Sequence, residues 1–177
     1  MFSVINQANF TVRRDLEEWD RVAQENVNQA LKALYAEEPI RRRIDVNARV
    51  VSFIQVEALT APEDFRGVRD DRGNLQAGAI VIDMDEHLFV EYIATAPWNV
   101  TGDSPRAVRK AATALMAELA KESDSNGHYG RIILNAIPDA VEFYQKIGFV
   151  ETGEGSLLAP EMELTPAAAR QLMNKRL

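Results

Sequence analysis

Hydrophobic positions follow a helical period at the start of the chain. In residues 15–36 apolar side chains recur every three or four positions, which predicts a helix with one buried face. The members of that face are Leu16, Trp19, Ala23, Val27, Ala30, Leu31 and Leu34. Pro39 is the predicted end of this helical region. The run ARVVSFIQVEAL, residues 48–59, is rich in β-branched and aromatic residues and predicts a strand.

The middle of the chain predicts a hairpin and then a central strand. DDRGN, residues 70–74, is a turn signal between the apolar runs FRGV and LQAGAIVIDMD. HLFVEYIATAP, residues 87–97, is apolar at both odd and even positions. Such a run is typical of a strand that is covered on both faces. WNVTGD, residues 98–103, is predicted to be a loop.

The second half predicts strands and helices in alternation. Ser104 and Pro105 have the character of an N-cap and a first helical residue, so a helix is predicted over residues 104–123. RIILNAI, residues 131–137, is a predicted strand, and a short helix follows from Pro138 to residue 146. Gly148 suits the C-terminal cap of that helix. A strand on each side of a long helix favours a parallel crossover.

The C-terminal region predicts two further strands and a helix. FVETG and SLLAPEMELT are the strands, with the turn placed at Gly153–Gly155, and Thr165-Pro166 begins a final helix. No internal repeat or low-complexity linker interrupts the sequence. The order of elements therefore predicts a single domain over residues 1–177 of mixed α/β or α+β class.

Composition narrows the classes of function. The 177 residues carry a formal net charge of -7, which disfavours sequence-independent nucleic-acid binding. There is no cysteine, and His87 and His128 share no ligand spacing, so we expect no metal. No apolar run is long enough for a membrane span, and the N-terminus lacks the apolar core of a signal peptide. We therefore expect a cytoplasmic protein without a membrane or nucleic-acid partner.

Three stretches in order resemble the GNAT superfamily of acetyl-coenzyme A-dependent N-acetyltransferases. They are FVEYIATAPWNV, RKAATALM and GRIILNAIPDAVEFYQKIGFVETG. The resemblance covers about residues 75–165 and, loosely, the N-terminal helix. It implies a twisted mixed sheet of six to seven strands with helices on both faces. It also implies acetyl transfer from acetyl-CoA to an amine by direct attack.

The resemblance also implies the site. Acetyl-CoA lies where the strands over residues 87–97 and 131–137 splay apart, with its pyrophosphate on amides at the start of the next helix. The implied cofactor-binding residues are Ile93, Ala94, Thr95, Arg106, Arg109, Lys110, Ala111, Ala112, Asn135 and Tyr144. Glu91 matches the family's base and Tyr144 the acid that protonates the thiolate. Trp98 and Asn99 are expected to rim the acceptor cleft.

Glu91 and Tyr144 also have plain structural interpretations. Glu91 interrupts an otherwise apolar strand, where burial of an unpaired carboxylate is costly, so a base with a raised pKa or a partner of an arginine is expected. Alternation places Glu91 on the same face as Phe89, Ile93 and Thr95. Tyr144 stands at helical spacing from its apolar neighbours and also suits a core position.

The sequence departs from the family at the pyrophosphate loop. Lys110 stands where the family has its first glycine, and Ala107 where it has Gln or Arg. A helix that starts at Ser104 would also place the amides near Lys110 inside the helix, where they are already bonded. The Asn that often follows the penultimate strand is out of register, because Ile137 holds its place and Asn135 comes two residues early.

Three interpretations stay open at this point. The cations of the loop compensate for the missing glycine, or the phosphate site has moved to VTGDSPR, or the fold has lost the cofactor and acts as a binding or interaction protein. In the first two, the partner is acetyl-CoA with a small-molecule or peptide amine as acceptor. A homodimer is compatible with each of them.

Overall fold

The computed structural model describes residues 1–33 and 38–175, which contain seven strands and six α-helices. The strands are β1 (Ser3–Ile5), β2 (Phe65–Arg69), β3 (Leu75–Asp83), β4 (Leu88–Thr95), β5 (Ile132–Asn135), β6 (Phe149–Ser156) and β7 (Ala159–Leu164). The helices are α1 (Phe10–Lys32), α2 (Glu38–Thr60), α3 (Pro97–Thr101), α4 (Ala111–Ser125), α5 (Val141–Ile147) and α6 (Pro166–Met173).

All seven strands belong to one sheet, in the order β1-β2-β3-β4-β5-β7-β6. The β4–β5 pair is parallel, whereas the β1–β2, β2–β3, β5–β7 and β6–β7 pairs are antiparallel. The predicted fold class, a mixed sheet of six to seven strands in an α/β protein, is confirmed. By its internal contacts the chain divides into two compact units, which are described separately below.

The first unit comprises Met1–Ile80 and Tyr92–Ala112. Its helix α1 begins after Asn9, whose side-chain oxygen accepts a hydrogen bond from the Val12 amide at 3.0 Å. The core contains an edge-to-face pair of indoles, Trp19 and Trp98, with ring centroids 6.3 Å apart. Other buried members of this core are Leu16, Val51, Ile54, Ala58, Phe65, Leu75 and Ile80. A helix was predicted over residues 15–36; α1 begins earlier, at Phe10, and ends at Lys32. Leu31 is exposed rather than buried, and Leu34 lies outside the described residues.

Helix α2 corrects the prediction of a strand over residues 48–59. The buried residues of α2 are Ile44, Ala48, Val51, Ile54 and Ala58. Their steps of three and four residues are the period of a helix, and only the β-branched composition favoured a strand. Pro39, predicted to end the helical region, lies instead in the first turn of α2, where a missing amide hydrogen costs nothing.

The second unit comprises Val81–Glu91 and Thr113–Leu177. Its strand β5 pairs with β4 over Leu88–Val90 and, on its other side, with β7. The predicted α5 helix ends at Gly148, whose φ of +110° is left-handed, as a glycine cap requires. Helix α6 begins at Thr165-Pro166 as predicted, since the Thr165 hydroxyl accepts from the Ala168 amide.

Strand β6 corrects the predicted turn at Gly153–Gly155. The strand runs on to Ser156, and the chain reverses at Leu157 and Leu158. Gly153 and Gly155 have φ of +90° and +84°, and the register with β7 shifts between Glu151 and Gly155. The glycines therefore form an irregularity within the ladder, because positive φ accommodates extra residues without reversing the chain.

Candidate functional site

The segment 102–110 between α3 and α4 holds the loop that the sequence singled out. WNVTGD was predicted to be a loop, but residues 97–101 form α3, and Gly102 caps it in a left-handed conformation with φ of +74°. Helix α4 begins at Ala111 rather than at Ser104. Ser104 accepts hydrogen bonds from the Arg106 amide at its hydroxyl and from the Ala107 amide at its carbonyl. The Ser-Pro pair therefore forms a turn, not a helix N-terminus.

The later start of α4 changes which backbone amides lack an acceptor within the helix. The first four amides of an α-helix have no intrahelical acceptor. Because α4 starts at Ala111, the amides of Ala111 and Ala112 belong to that class. The expectation that they are bonded inside a longer helix is wrong. Arg109 and Lys110, which directly precede them, are exposed.

Lys110 is left-handed, with φ of +66°. Among the described residues only Lys110 and Tyr129 are non-glycine residues with positive φ. Glycine adopts this conformation readily, whereas an L-residue is strained in it by about 1–2 kcal/mol. The position thus has the backbone shape of a glycine although the residue is lysine.

The buried side-chain amide of Gln76, in β3, is hydrogen-bonded to the main chain of this loop. Its side chain is fully buried, and its nitrogen donates to the Asp70 carboxylate at 2.8 Å and to the Arg106 carbonyl at 2.9 Å. Its oxygen accepts from Trp98 Nε1 and from Asn99 Nδ2, each at 3.0 Å. The amide orientation is unambiguous, because a carboxylate and a carbonyl only accept and an indole N–H only donates.

Asn99 extends this network to a second point of the loop. Its side-chain oxygen accepts from the Val108 amide at 2.8 Å, and its nitrogen also donates to the Gln76 carbonyl at 3.2 Å. We call Asp70, Gln76, Trp98 and Asn99 the Gln76 network. Sequence reasoning missed it. The available signal was one glutamine in the otherwise apolar start of LQAGAIVID.

Asp70 anchors the network in the β2–β3 turn. Burial raises the pKa of this carboxyl, but hydrogen bonds from the Asn74 and Gln76 side chains and from the Asn74 and Arg72 amides outweigh it, so the pKa lies below its ordinary value. The two amide bonds measure 2.9 Å from Asn74 and 3.0 Å from Arg72. The carboxylate form is therefore the one that the fold stabilises.

Three residues predicted at the site, Arg106, Trp98 and Asn99, have partners within the first unit. The Arg106 guanidinium pairs with Glu18 at 2.8 Å and lies over the Trp98 ring, 5.1 Å from the ring centroid. Trp98 is buried, and the half-buried Asn99 is hydrogen-bonded to the loop, so their expected place at an acceptor cleft stays a prediction. Arg106 and Trp98 do line a polar pocket of about 340 Å³ within the first unit, together with Glu18 and Arg21 of α1.

Strand β4 presents Glu91 on its open face. Leu88, Val90 and Ala94 are buried, whereas Glu91 is exposed and its same-face neighbours Phe89, Ile93 and Thr95 are half-buried. The predicted alternation is confirmed, but the expected burial of Glu91 is wrong. The Thr95 carbonyl already accepts from Asn47 Nδ2 at 2.9 Å, so it is partly engaged before any ligand binds.

Within the second unit, the parallel ladder of β4 and β5 ends at the pair Val90 and Leu134. Glu91 and Asn135 are the next residues on the two strands, and both are exposed. The parallel pairing of β4 with β5 does not extend to either residue. Asn135 is the last residue of β5 and pairs with Glu161 of β7.

Tyr144 of α5 is buried against aromatic neighbours. Its ring lies 5.2 Å from that of Phe143 and 5.4 Å from that of Phe149, between centroids. Burial raises the pKa of the phenol well above its ordinary value. The phenol is therefore neutral across the physiological range, and it can donate a hydrogen bond.

A further pocket of the second unit lies beside the β6 irregularity. It encloses about 510 Å³ and is lined by Pro138, Val141, Glu151, Gly153, Glu154, Gly155, Ser156, Leu157 and Pro160. Two carboxylates and several apolar groups face it, and sequence reasoning missed it. Among residues 1–33 and 38–175, no cluster of His, Asp or Glu is placed to hold a metal ion. In the same ranges, no helix has the length and apolar character needed to cross a bilayer.

Comparison with known proteins identifies relatives of the fold. Residues 105–157 match the family described as acetyltransferase (GNAT) domain. A comparison with curated proteins finds no match. Among solved structures, a PaiA N-acetyltransferase from Thermoplasma acidophilum, in complex with coenzyme A, is 18% identical with a TM-score of 0.57, over 92% of this chain and 98% of that one.

Two further structures give the same result. A GNAT-family acetyltransferase from Listeria monocytogenes is 12% identical with a TM-score of 0.53, over 92% of this chain and 93% of that one. The ribosomal-protein-S18-alanine N-acetyltransferase from Escherichia coli is 15% identical with a TM-score of 0.53, over 93% of each chain. At these identities the likeness concerns the fold.

Proposed function

We propose that this chain, which has the GNAT fold and matches the GNAT domain family over residues 105–157, transfers an acetyl group from acetyl-CoA to an amine. The observation that carries the proposal is the junction of the 102–110 loop with α4. There a left-handed residue and two helix amides without an intrahelical acceptor follow one another, in the segment that the family match covers.

The junction suits the pyrophosphate of acetyl-CoA. The amides of Ala111 and Ala112 point out of the N-terminus of a 15-residue helix, where the helix dipole favours an anion. Arg109 and Lys110 place two exposed cations at that end, which is unfavourable for the helix alone. A bound pyrophosphate would turn this repulsion into attraction. Lys110 would thus supply both the shape of the missing glycine and a positive charge.

The proposed reaction is attack of the amine nitrogen on the thioester carbonyl. A C–N bond forms and the C–S bond breaks, so that the sulfur leaves as the thiolate of CoA, which then takes a proton from solvent. Glu91 is the proposed base. Its carboxylate is accessible on the open face of β4, so it can take the amine proton directly or through one water molecule.

Tyr144 is proposed to assist the leaving sulfur. A phenol whose pKa is raised by burial holds its proton more firmly than a thiol does. It is therefore better suited to donate a hydrogen bond to the developing thiolate than to transfer its proton completely. This differs from the simplest form of the family mechanism, in which the tyrosine is the acid.

The proposed acceptor is a cationic amine of a small molecule or peptide. Support comes from the net charge of -7 and from the pocket beside the β6 irregularity, where Glu151 and Glu154 would attract an ammonium group. Apolar lining from Pro138, Val141 and Leu157 would suit a hydrocarbon part next to that group.

Calorimetric titration with acetyl-CoA, and with desulfo-CoA as a second ligand, tests the proposal. We expect binding in the micromolar range for both. Lys110→Gln should weaken it about threefold through loss of one exposed charge near a phosphate. Lys121→Gln is the matched control, since it removes a charge from within α4, about 15 Å beyond the first residue of that helix.

Absence of binding at millimolar acetyl-CoA would refute the proposed acetyltransferase activity. The chain would then be a GNAT-fold interaction protein whose loop no longer holds the cofactor. If binding is found, a screen of amines with detection of free thiol identifies the acceptor.

A further inference from the structure

Gln76 is a buried polar side chain whose burial needs a reason. It is fully shielded from water, and both adjacent residues of β3, Leu75 and Ala77, are buried as well. Burying an amide is unfavourable unless each of its hydrogen-bonding groups finds a partner. Here two donors and the acceptor are all used. An apolar residue would fill the position without this demand, whereas a fully satisfied buried network holds its partners in one defined arrangement.

The network joins a fixed point to a loop. The fixed point is the Asp70 carboxylate, which the amides of the tight β2–β3 turn hold in place. The loop is held at two points of its main chain, the Arg106 carbonyl through Gln76 and the Val108 amide through Asn99. Lys110 follows two residues later. The position and direction of the α4 N-terminus thus depend on contacts that begin in a different part of the chain.

We propose that Gln76 is a positioning residue for acetyl-CoA: through Asn99 and the Arg106 carbonyl, it holds the 102–110 loop in the conformation that presents Lys110 and the first amides of α4. This inference rests on the proposed function. Gln76 contacts no ligand itself. Its contribution is to fix the loop before acetyl-CoA arrives, so that binding does not have to order it.

The decisive variant is Gln76→Glu, which keeps the shape and removes both N–H donors. The new carboxylate faces the Asp70 carboxylate and the Arg106 carbonyl, so the contact to the loop is lost and like charges meet. The double variant Asp70→Asn/Gln76→Glu removes the repulsion, because the amide nitrogen at residue 70 can donate to the carboxylate at residue 76. It does not restore a donor for the Arg106 carbonyl.

Ser123→Ala is the matched control. Ser123 is also fully buried, and its hydroxyl donates to the Arg131 carbonyl at 2.7 Å in the second unit. Its removal should lower the melting temperature through loss of one buried hydrogen bond, without a contact to the 102–110 loop.

We expect Gln76→Glu to raise the Kd and KM for acetyl-CoA about tenfold, with kcat at saturating acetyl-CoA within about twofold of the wild type. The double variant should recover most of the lost melting temperature but not the affinity. Ser123→Ala should show the reverse, a lower melting temperature with unchanged affinity.

The outcomes distinguish the positioning role of Gln76 from the proposed acetyltransferase function. If the double variant regains affinity together with melting temperature, Gln76 is a structural residue only and the inference is overturned. It is equally overturned if Gln76→Glu binds as the wild type does, and in both cases the proposed function stands. If the wild-type protein binds no acetyl-CoA, the proposed function fails, and this inference fails with it.

Discussion

The left-handed lysine at the end of the 102–110 loop leads to a prediction that needs no ligand. In Lys110→Gly the side chain that is lost is exposed, and the backbone conformation, with φ of +66°, is one that glycine adopts without strain. A substitution to glycine normally destabilises a protein. Here we expect the opposite sign.

The magnitude follows from three contributions. Relief of the left-handed strain stabilises the fold by about 1–2 kcal/mol. The greater freedom of glycine in the unfolded chain costs about 0.5–1 kcal/mol. Removal of a cation from the N-terminus of α4 adds a few tenths, roughly 0.3 kcal/mol. The sum is a stabilisation of about 1 kcal/mol, which in a chain of this length raises the melting temperature by about 2–4 °C.

Urea denaturation followed by tryptophan fluorescence is the assay. Both tryptophans of the chain, Trp19 and Trp98, lie in the core of the first unit, which also contains Lys110. Lys110→Ala measures the charge contribution alone, because alanine keeps the strain. Arg109→Gly is the second control, since Arg109 is exposed but has no positive φ to relieve. If Lys110→Gly is no more stable than Lys110→Ala, the strain argument is refuted.

Three further predictions concern the second unit. Gly155→Ala should destabilise the fold by about 2 kcal/mol or more, because a Cβ would lie 2.5 Å from the Ala159 carbonyl oxygen at a φ of +84°. Urea denaturation followed by circular dichroism measures the change, and wild-type stability would mean that β6 does not have this backbone conformation. Burial, and after it the charge of Arg131, lower the pKa of His87 in the folded protein. The free energy of unfolding should therefore decline as the pH falls below about 6.5, the pKa of histidine in the unfolded chain. His87→Gln should flatten that decline between about pH 7 and 5. Tyr144→Phe should lower kcat about tenfold and leave acetyl-CoA affinity unchanged; equal turnover at saturating acetyl-CoA would remove Tyr144 from the mechanism.

Local patterns predicted those elements in which propensity and periodicity agree. The β2–β3 hairpin, β4, β5 and α5 are of this kind. Helix α2 was missed because its composition and its spacing disagree: valines and isoleucines favour a strand, whereas burial every three or four residues defines a helix. Packing of these residues against α1 stabilises the helix that the spacing indicates.

The start of α4 could not be predicted for a different reason. Ser104-Pro105 satisfies every local rule for a helix N-terminus. The loop instead extends to Lys110 because Gln76 and Asn99, distant in sequence, hold its main chain. The exposure of Glu91 likewise depends on what covers the face of β4, which the strand's own residues do not reveal.

The left-handed residue at position 110 also bears on how such a loop can change its sequence over time. Its shape depends on a φ angle, and glycine is only the least strained residue that adopts it. The strain of a lysine there is of the same order as one or two hydrogen bonds, and Gln76 and Asn99 provide such bonds to the loop. Once a loop is held from below in this way, glycine at this point becomes replaceable. A sequence motif that requires the glycine would then fail to identify chains that keep the loop conformation with another residue at this position.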